Sequence, residues 1–277
     1  MTVSDRAILH AHAKLTFELR ITGVRDDGYH LIDAEMSSLD LHDLVTIQPA
    51  VGGEPSPGIT VSGTYATGVP TDRSNLVARA LDRVGHSIDD TAVHIEKRIP
   101  HGGGLGGGSA DAAAVLRWGG YGTVPDRLTD DLAAAATLGA DISFCLVGGR
   151  SRVSGIGEVL EQLPHVDRVV TLVIPPLSVS TPAAYRAWDE LGMPRSDGPN
   201  DLEAAALVVE PRLSWWREAI TERCGTAPVL AGSGATWFVE GRRANALADL
   251  VDEGAEIVVA STVPAGSTAD SDVDRSS

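Results

Sequence analysis

The 277-residue sequence predicts an α/β (α+β) fold, because segments with the periodicity of strands and segments with the periodicity of helices alternate along it. Three observations support this class. Apolar and polar residues alternate over residues 15–21, the segment "VVTLVI" from Val169 has the composition of a buried strand, and the strong helix formers of "ADAAAVLRW" follow a run of glycines. Strands and helices of this kind pack in layers around a shared core.

The N-terminal region predicts a hairpin. Residues 15–21 form its first strand, residues 26–28 have the composition of a turn, and "YHLIDAEMSSLD" begins the return strand. Lys14 and Thr16 are two residues apart, so we expect them to share the polar face of the first strand. Further along, "NLVARALDRVG" from Asn75 predicts an amphipathic helix.

The stretch "KRIPHGGGLGGGSADAAAVLRW" is the most unusual feature, with six glycines in the seven positions 102–108. The preceding "TAVHIEK" alternates like a half-buried strand, and Ser109 stands where the N-cap of the following helix is expected. A strand, a glycine loop and a helix start together form a concave array of N–H donors at the positive end of a helix dipole. We therefore expect an anion-binding loop that holds phosphate.

Three other interpretations of the glycines are weaker. The strand and helix patterns on either side argue against a flexible linker. A P-loop requires a Lys before its final Ser or Thr, whereas Gly107 and Gly108 precede Ser109. The glycines do satisfy G-x-G-x-x-G, but a dinucleotide-binding fold needs an apolar strand entering the loop, and here the charged "EKR" and Pro100 enter it.

The segment after the loop predicts a helix, "RLTDDLAAAATLG", which ends near Gly139. Asp141 begins the next segment. A carboxylate that follows a glycine and precedes an apolar run is either a cap of the next turn or a working acid, and the sequence does not decide between them. Near the C-terminus, "VLAGSGATWFVEG" predicts a strand, a glycine turn and a second strand.

The composition is that of an ordinary globular protein, with 43% hydrophobic and 22% charged residues. No apolar run approaches the roughly 18 residues of a membrane span, and the N-terminus lacks the pattern of a signal peptide, so we expect a cytoplasmic protein without a membrane partner. A net charge of −16 argues against a nucleic-acid partner. Two cysteines, Cys145 and Cys224, provide neither a disulfide framework nor a metal cluster.

The basic residues are unevenly divided. Of 22 lysines and arginines, only Lys14 and Lys97 are lysines. A chain that uses arginine elsewhere keeps lysine where a compact ammonium is needed, or by chance at the surface. Lys14 and Lys97 are therefore candidates for a functional role.

Together these motifs resemble the GHMP kinase superfamily. The resemblance rests on A-x-A-K near the N-terminus, G-Y-H about 15 residues later, K-R-I-P-x-G-x-G-L-G-G-G-S-x-D-A-A, L-G-A-D-I-S-F and G-S-G-A, and it runs from about residue 7 to 262. Within the superfamily the sequence is most similar to the 4-diphosphocytidyl-2-C-methyl-D-erythritol kinases of the non-mevalonate isoprenoid pathway. The remaining residues, 263–277, are acidic, rich in Ser and poor in apolar residues, which predicts a disordered tail.

The resemblance implies a two-lobed GHMP kinase fold with the active site in the cleft between the lobes. The N-terminal, ATP-binding lobe would span residues 1–164 and the C-terminal lobe residues 165–262. The implied ligands are ATP, Mg²⁺ and a small-molecule alcohol, and the implied enzyme is a monomer or a homodimer.

The resemblance also implies site residues. Asp141 matches the catalytic aspartate, which would accept the proton of the attacking hydroxyl, and Lys14 matches its partner, which would stabilise the developing charge. The residues implied to wrap or lie near ATP are Pro100, His101, Gly102, Gly103, Gly104, Leu105, Gly106, Gly107, Gly108, Ser109, Ala110, Ser74, Asn75 and Lys97. Ser109 is also a candidate ligand of Mg²⁺, which is expected to be bound largely by phosphate oxygens and water.

For the substrate, the resemblance implies a cytosine held between aromatic side chains. Tyr29 and His30 match the pair that holds the base, and Tyr185 in "STPAAYRAW" matches an aromatic that stacks on its other face. The full set of implied substrate-binding residues is Thr16, Tyr29, His30, Thr181, Tyr185, Gly232 and Ser233.

Three positions depart from the family pattern. Thr16 stands where an Asn that touches substrate is usual, His12 replaces a frequent Pro or Gly, and Ala110 replaces a frequent second Ser. Two alternatives therefore stay open: a GHMP kinase for another small alcohol, such as a mevalonate-like or sugar substrate, and a non-catalytic nucleotide-binding relative. Retention of Lys14 and Asp141 disfavours the second alternative.

Overall fold

A computed structural model describes residues 6–49, 58–100 and 102–267 of the chain. Its strands are β1 (Ala7–Val24), β2 (His30–Pro49), β3 (Ile59–Ser62), β4 (Thr91–Glu96), β5 (Arg150–Gly155), β6 (Val159–Leu163), β7 (Val169–Ile174), β8 (Val229–Leu230), β9 (Trp237–Glu240) and β10 (Glu256–Ser261). Its α-helices are α1 (Leu76–Arg83), α2 (Gly107–Trp118), α3 (Leu128–Ala136), α4 (Ala140–Val147), α5 (Thr181–Glu190), α6 (Glu203–Val209) and α7 (Leu213–Cys224), and 3-10 turns occupy Pro125–Arg127 and Ala244–Val251.

The first sheet is built around the long hairpin of β1 and β2, which pair antiparallel along nearly their whole length. The other edge of β2 pairs with β5 through residues 32–37 and with β4 through residues 44–49. Strand β6 adds to β5 and β3 adds to β4, the last pair being the parallel one. The predicted N-terminal hairpin is thus confirmed, and it extends further than the alternation over residues 15–21 indicated.

Helix α2 lies at the centre of the helical layer on this sheet, in contact with α1, α4 and β1. Its run of small residues, 110–114, is almost completely buried in a core that includes Leu9, Val45 and Ile95. Alanines have little side chain to keep the helix away from the sheet, so α2 packs closely against it. This contact fixes the position of the glycine loop that precedes α2.

A second sheet has the order β10-β7-β9-β8 and is antiparallel throughout. Helices α5, α6 and α7 accompany it, and its own core includes Val173, Trp216, Ile220 and Trp237. The chain passes from the first sheet to the second between β6 and β7, where the predicted lobe boundary near residue 165 falls.

A third apolar cluster joins the two sheets. Leu15 and Phe17 of β1 pack with Leu172 of β7 and Phe238 of β9, and the two phenylalanine rings meet edge to face at 5.3 Å between centroids. Single bridges between Leu39 and Thr262 and between Leu19 and Asn200 continue the backbone contact. The two halves therefore share a core.

The described part of the predicted tail consists of residues 263–267, and residues 268–277 lie outside the described part of the chain. At its start the Val263 amide donates to the Ser38 carbonyl at 3.0 Å. None of the helices among the described residues is long and apolar enough to cross a membrane. Cys145 and Cys224 are both free thiols.

Candidate active site

A cleft of about 1110 Å³ opens where β1, the glycine loop, α4 and α5 meet. Its lining brings together residues from both halves of the sequence, over a separation of more than 200 positions. The predicted site residues that line it are Lys14, Thr16, Tyr29, His30, Gly104, Ser109, Asp141, Thr181, Tyr185, Gly232 and Ser233. Every predicted catalytic and substrate-binding position is therefore part of one concave surface, as a small-molecule site requires.

Lys14 and Thr16 lie side by side on β1, and the Lys14 ammonium donates to the Thr16 hydroxyl at 3.3 Å. Irregular pairing between β1 and β2 on either side of this segment directs both side chains into the cleft. Both residues are nonetheless almost fully buried, at 5% and 2% exposed. The shared face expected from the sequence is confirmed.

Asp141 supplies the carboxylate opposite Lys14. It is the second residue of α4, and its Oδ2 lies 3.4 Å from the Lys14 Nζ. The N-cap of α4 is Gly139, and no side chain caps this helix. Asp141 therefore does not serve as the cap of this helix, and its role as a working acid stays a prediction.

The glycine loop ends in a helix start without a side-chain cap. Gly106, at φ +70°, is the N-cap of α2, and the helix begins at Gly107. The prediction that Ser109 is the N-cap was therefore wrong: it lies in the first turn of the helix, because glycine at positive φ turns the chain into α2 three residues earlier. Gly104 of the loop and Ser109 of the first turn of α2 both line the cleft, and binding of an anion at this helix start stays a prediction.

The glycines also allow the loop to fit between its neighbours. Gly104 adopts φ +78°, and a Cβ there would overlap the carbonyl oxygen of Ala231. A Cβ on Gly106 would lie 2.8 Å from the Lys14 side chain. The loop is further fixed by Leu105, whose side chain is buried in the cluster between the sheets and whose carbonyl accepts the Lys14 amide at 3.0 Å. Bare backbone here serves close packing as well as ligand access.

Lys97 lies beneath the loop, 2% exposed, and not at the surface of the cleft. Its ammonium donates to Asp43 and, at 2.7 Å, to Asp111 of α2. Burial acts to lower the pKa of Lys97, but the two carboxylates outweigh it and raise that pKa. Burial, opposed by Lys97, raises the pKa of Asp111 to about 7. This network ties the start of α2 to β2 and β4, and direct contact of Lys97 with a nucleotide stays a prediction.

The other predicted nucleotide residues lie at or near this region. Asn75 caps α1, accepting from the Val77 amide at 2.9 Å and donating to the Pro70 carbonyl at 2.7 Å. Ser74 is exposed and bonds Asp72 through both its amide and its hydroxyl. Pro100, Gly102, Gly103, Gly107, Gly108 and Ala110 are parts of the loop and of α2, and His101 lies outside the described residues. Their contact with ATP stays a prediction.

An aromatic group lies at the opposite end of the cleft. The rings of His30 and Tyr185 are in contact, with centroids 4.6 Å apart and planes tilted by 31°, and Trp188 meets His30 edge to face at 5.7 Å. The His30 Nε2 contacts the Asp189 carboxylate at 2.9 Å. Burial, reinforced by Asp141, raises the pKa of Tyr185 to about 12, so its phenol keeps its proton. Direct ring contact leaves no space for a base between His30 and Tyr185, while Tyr29 is largely exposed at the rim.

The last wall of the cleft is a glycine turn after β8. The Thr181 and Ser233 hydroxyls are 2.8 Å apart, which joins the start of α5 to this turn. The buried Asn200 donates to the carbonyls of Leu230 and Gly232 at 2.9 and 2.7 Å. These two hydrogen bonds from Asn200 restrain the conformation of the turn.

Several supporting residues were not identified from the sequence. Asp43 and Asp111 hold Lys97, Asp189 holds His30, and Asn200 holds the glycine turn. Asp111 stands inside the quoted glycine motif, so its position in the sequence could have marked it as a candidate site residue. Asp43, Asp189 and Asn200 are distant in sequence from their partners, and no local pattern connects them.

Comparison with known proteins identifies relatives. A model of the GHMP kinases N terminal domain matches residues 75–149. A 4-diphosphocytidyl-2-C-methyl-D-erythritol kinase from Cereibacter sphaeroides is 35% identical over 263 residues, which cover 86% of this chain and 92% of the relative. Another, from Desulfitobacterium hafniense, is 32% identical over 262 residues, 85% of this chain and 87% of the relative.

Solved structures agree with these relatives. A crystal structure of 4-(cytidine 5'-diphospho)-2C-methyl-D-erythritol kinase matches with a TM-score of 0.70 and 27% identity, covering 92% of this chain and 98% of the other. A homoserine kinase from Cytophaga hutchinsonii matches with a TM-score of 0.62 at 16% identity, covering 96% of each chain, which indicates a shared fold alone.

Proposed function

The chain belongs to the 4-diphosphocytidyl-2-C-methyl-D-erythritol kinases, a family of GHMP kinases, and we propose that it transfers a phosphoryl group from ATP to the 2-hydroxyl of 4-diphosphocytidyl-2-C-methyl-D-erythritol. It is an ATP-dependent kinase with an alcohol acceptor. One observation carries the proposal: a single cleft contains the Lys14–Asp141 ion pair, the uncapped start of α2 and the His30–Tyr185 ring pair.

In the chemical step, the Asp141 carboxylate accepts the proton of the 2-hydroxyl while the hydroxyl oxygen bonds to the γ-phosphorus of ATP. The bond from that phosphorus to the bridging oxygen breaks, and ADP leaves with the electron pair. The Lys14 ammonium, 3.4 Å from Asp141, neutralises charge that develops on the transferred group. Thr16 accepts a hydrogen bond from this ammonium at 3.3 Å and so helps to orient it.

Phosphate binding is assigned to the glycine loop and to the first turn of α2. Its main-chain N–H groups lie at the positive end of the helix and have no side-chain cap that competes for them. Ala110 is buried against the sheet at 1% exposed, so the loss of a second Ser at this position removes no group from the cleft surface. The main chain would therefore carry most of the phosphate contacts, with Ser74, Asn75 and Lys97 lying near the nucleotide.

The donor set also fits Mg²⁺. The cleft near the loop offers the Ser109 hydroxyl and the Asp141 carboxylate, and Mg²⁺ prefers oxygen ligands and keeps several waters. If bound there with ATP, the ion would neutralise phosphate charge, with Ser109 and Asp141 as the oxygen donors that this chain offers. Ser109 is the residue that we expect to hold it.

Base recognition is assigned to the aromatic end of the cleft. A cytosine would stack on the open face of the Tyr185–His30 pair, with Tyr29 closing over it from the rim. Asp189 fixes the His30 ring so that the imidazole presents a defined edge to the base. Thr181, Gly232 and Ser233 form the wall that the substrate would contact between the base and the reacting hydroxyl.

In this proposal residues 1–164 form the ATP-binding lobe and residues 165–262 the second lobe, with residues 263–277 as an appended tail in a cytoplasmic monomer or homodimer. The experiment is ADP release with a panel of alcohols: the cytidyl substrate, mevalonate and sugars. Turnover confined to the cytidyl substrate supports the proposal. Turnover confined to another alcohol would indicate that Thr16 marks a change of acceptor substrate. ATP binding without any turnover would indicate a non-catalytic relative.

A further inference from the structure

Three histidines form a cluster outside the cleft, on the first hairpin. His10 and His12 lie two residues apart on β1, so they share one face of the strand. His42 of β2 is the direct cross-strand partner of His12. The ring centroids of His10 and His42 are 4.7 Å apart, and those of His12 and His42 are 5.1 Å apart. Three imidazoles are thus gathered where nothing in the kinase reaction uses them.

Hydrogen bonds fix the tautomers of two of these rings. The His12 Nδ1 contacts the Leu39 carbonyl at 2.6 Å, and the His42 Nδ1 contacts the Asp40 carbonyl at 2.7 Å. A carbonyl oxygen has no proton to give, so each Nδ1 donates its N–H, and in the neutral ring the lone pair is then on Nε2. Histidines that bind metals characteristically donate their other ring N–H to such an acceptor.

The spacing suits a metal ion. One nitrogen from each of the three rings lies within 4.8 Å of the other two. Three points this close all lie within about 2.8 Å of a common centre, so side-chain shifts of about 0.7 Å give the 2.0–2.1 Å of a zinc–imidazole bond. The rings are partly buried between neighbouring strands, which limits how many other arrangements they can adopt.

The donor set selects the kind of ion. Three imidazole nitrogens suit Zn²⁺ and neighbouring transition metals, whereas Mg²⁺ and Ca²⁺ require oxygen ligands. The Arg117 guanidinium donates to the His10 carbonyl at 3.2 Å and to the Cys145 carbonyl at 2.6 Å, so a positive charge lies near the cluster. This charge lowers the affinity for any cation, so binding depends on the strength of the imidazole–metal bonds.

We propose that His10, His12 and His42 form a binding site for one Zn²⁺-class ion, separate from the kinase cleft, with water as the fourth ligand. The bound ion clips β1 to β2 two residues before Lys14. It also fixes the 39–42 segment, where Leu39 bridges to Thr262 and the Asp40 carboxylate accepts the Ser261 amide at 2.8 Å. The ion would therefore stabilise the connection between the two sheets.

The test is a Zn²⁺ titration of the untagged, chelator-treated full chain without nucleotide, in competition with a chromophoric chelator. The expected result is one equivalent bound by the wild type and affinity reduced more than about tenfold in His12→Gln and in His42→Gln. His94→Gln is the control, because His94 is an exposed histidine whose ring nitrogens contact the Thr60 and Ser62 hydroxyls. Equal affinity in His42→Gln and wild type, or an equal loss in His94→Gln, would overturn the proposal.

A second measurement keeps the proposal testable if the cluster variants fold poorly. The visible absorption spectrum of Co²⁺ added to the wild-type chain shows the coordination geometry of the bound ion, since tetrahedral Co²⁺ absorbs visible light far more strongly than octahedral Co²⁺. The proposal predicts the strong tetrahedral spectrum, displaced by one equivalent of Zn²⁺. A weak octahedral spectrum, or one that Zn²⁺ does not displace, would show that the three histidines do not form the site.

Discussion

The Lys14 ammonium lies 3.4 Å from the Asp141 carboxylate across the floor of the cleft, although 126 positions separate the two residues in the chain. Lys14 is held by β1, and Asp141 by the first turn of α4. Both elements contact α2, which carries the glycine loop. The proposed base, its cationic partner and the proposed phosphate loop are thus positioned by one set of packed elements, as phosphoryl transfer would require.

The Thr16 departure gives the first prediction. A Cβ on Gly232 would lie 3.9 Å from the Thr16 hydroxyl, so the absent side chain leaves room for a slightly longer residue there. In Thr16→Asn the new carbonyl can accept from Lys14 as the hydroxyl does, and we expect kcat/KM for the cytidyl substrate to stay level or to rise. A loss of about 1–3 kcal/mol with that substrate, measured as kcat/KM, would show that the pocket is shaped for a different alcohol.

The second prediction concerns the aromatic end of the cleft. Tyr185→Ala removes a ring that contacts His30, and we expect KM for the cytidyl substrate to rise by the equivalent of about 1–3 kcal/mol while KM for ATP changes little. Steady-state kinetics with each ligand varied in turn measure the difference. Tyr185→Phe is the matched control, since it keeps the ring and should keep the low KM. Equal effects of Tyr185→Ala on both ligands would assign this tyrosine to the core.

Gly104 provides a third test, because the cost of a side chain at its positive φ can be separated from the cost of overlap with its close neighbours. Gly104 and Gly120 both have positive φ, +78° and +89°, but only at Gly104 does a Cβ meet the Ala231 carbonyl. In alanine variants the unfavourable φ costs each protein about 1–2 kcal/mol. We expect Gly104→Ala to lower the free energy of unfolding further and to raise KM for ATP, both beyond the change in Gly120→Ala.

Urea unfolding and ATP kinetics on the two glycine variants give this comparison. Similar values for both would mean that the loop tolerates a side chain at position 104 and that the Ala231 carbonyl does not exclude one.

Much of the fold could be predicted because the patterns that mark its strands and helices involve residues close together in the sequence. The alternation in β1 and β4, the apolar β7 and the amphipathic helix that follows Asn75 each depend on neighbours in sequence, and these elements were predicted correctly. The start of α2 was misplaced, since a glycine at positive φ can begin a helix without the polar side chain that usually marks one. The two short strands β5 and β6 have no such marker.

The site was predicted unevenly for the same reason. Lys14 and Asp141 stand in recognisable motifs, and the structure brings them together. By contrast, the burial of Lys97 between Asp43 and Asp111 depends on three distant segments meeting, and the contact of His30 with Asp189 spans 159 positions. Tertiary contacts of this kind leave no local pattern in the sequence.

The buried Lys97 network gives a prediction about pH. Burial raises the pKa of Asp111 to about 7, so between pH 4 and about 7 the folded protein binds a proton at Asp111 more tightly than the unfolded chain does. The stabilising contribution of this group is therefore complete at low pH and is lost as the pH rises through its folded value. We expect the free energy of unfolding of the wild type to fall across this window, and Asp111→Asn to remove that part of the slope.

Urea titrations at several pH values between 5 and 8 measure this slope for both proteins. A wild-type stability that rises with pH relative to Asp111→Asn would mean that Asp111 is ionised throughout, with Lys97 dominating its environment.

The central claim is that Asp141 and Lys14 carry phosphoryl transfer in this cleft, and turnover by Asp141→Asn tests it most directly. ADP release with ATP and the cytidyl substrate should fall by about 10² or more, since the general base is lost, while ATP affinity measured by titration stays near the wild-type value. Asp126→Asn, at an exposed aspartate outside the cleft, should keep full turnover. Turnover by Asp141→Asn within a few-fold of the wild type would contradict the account.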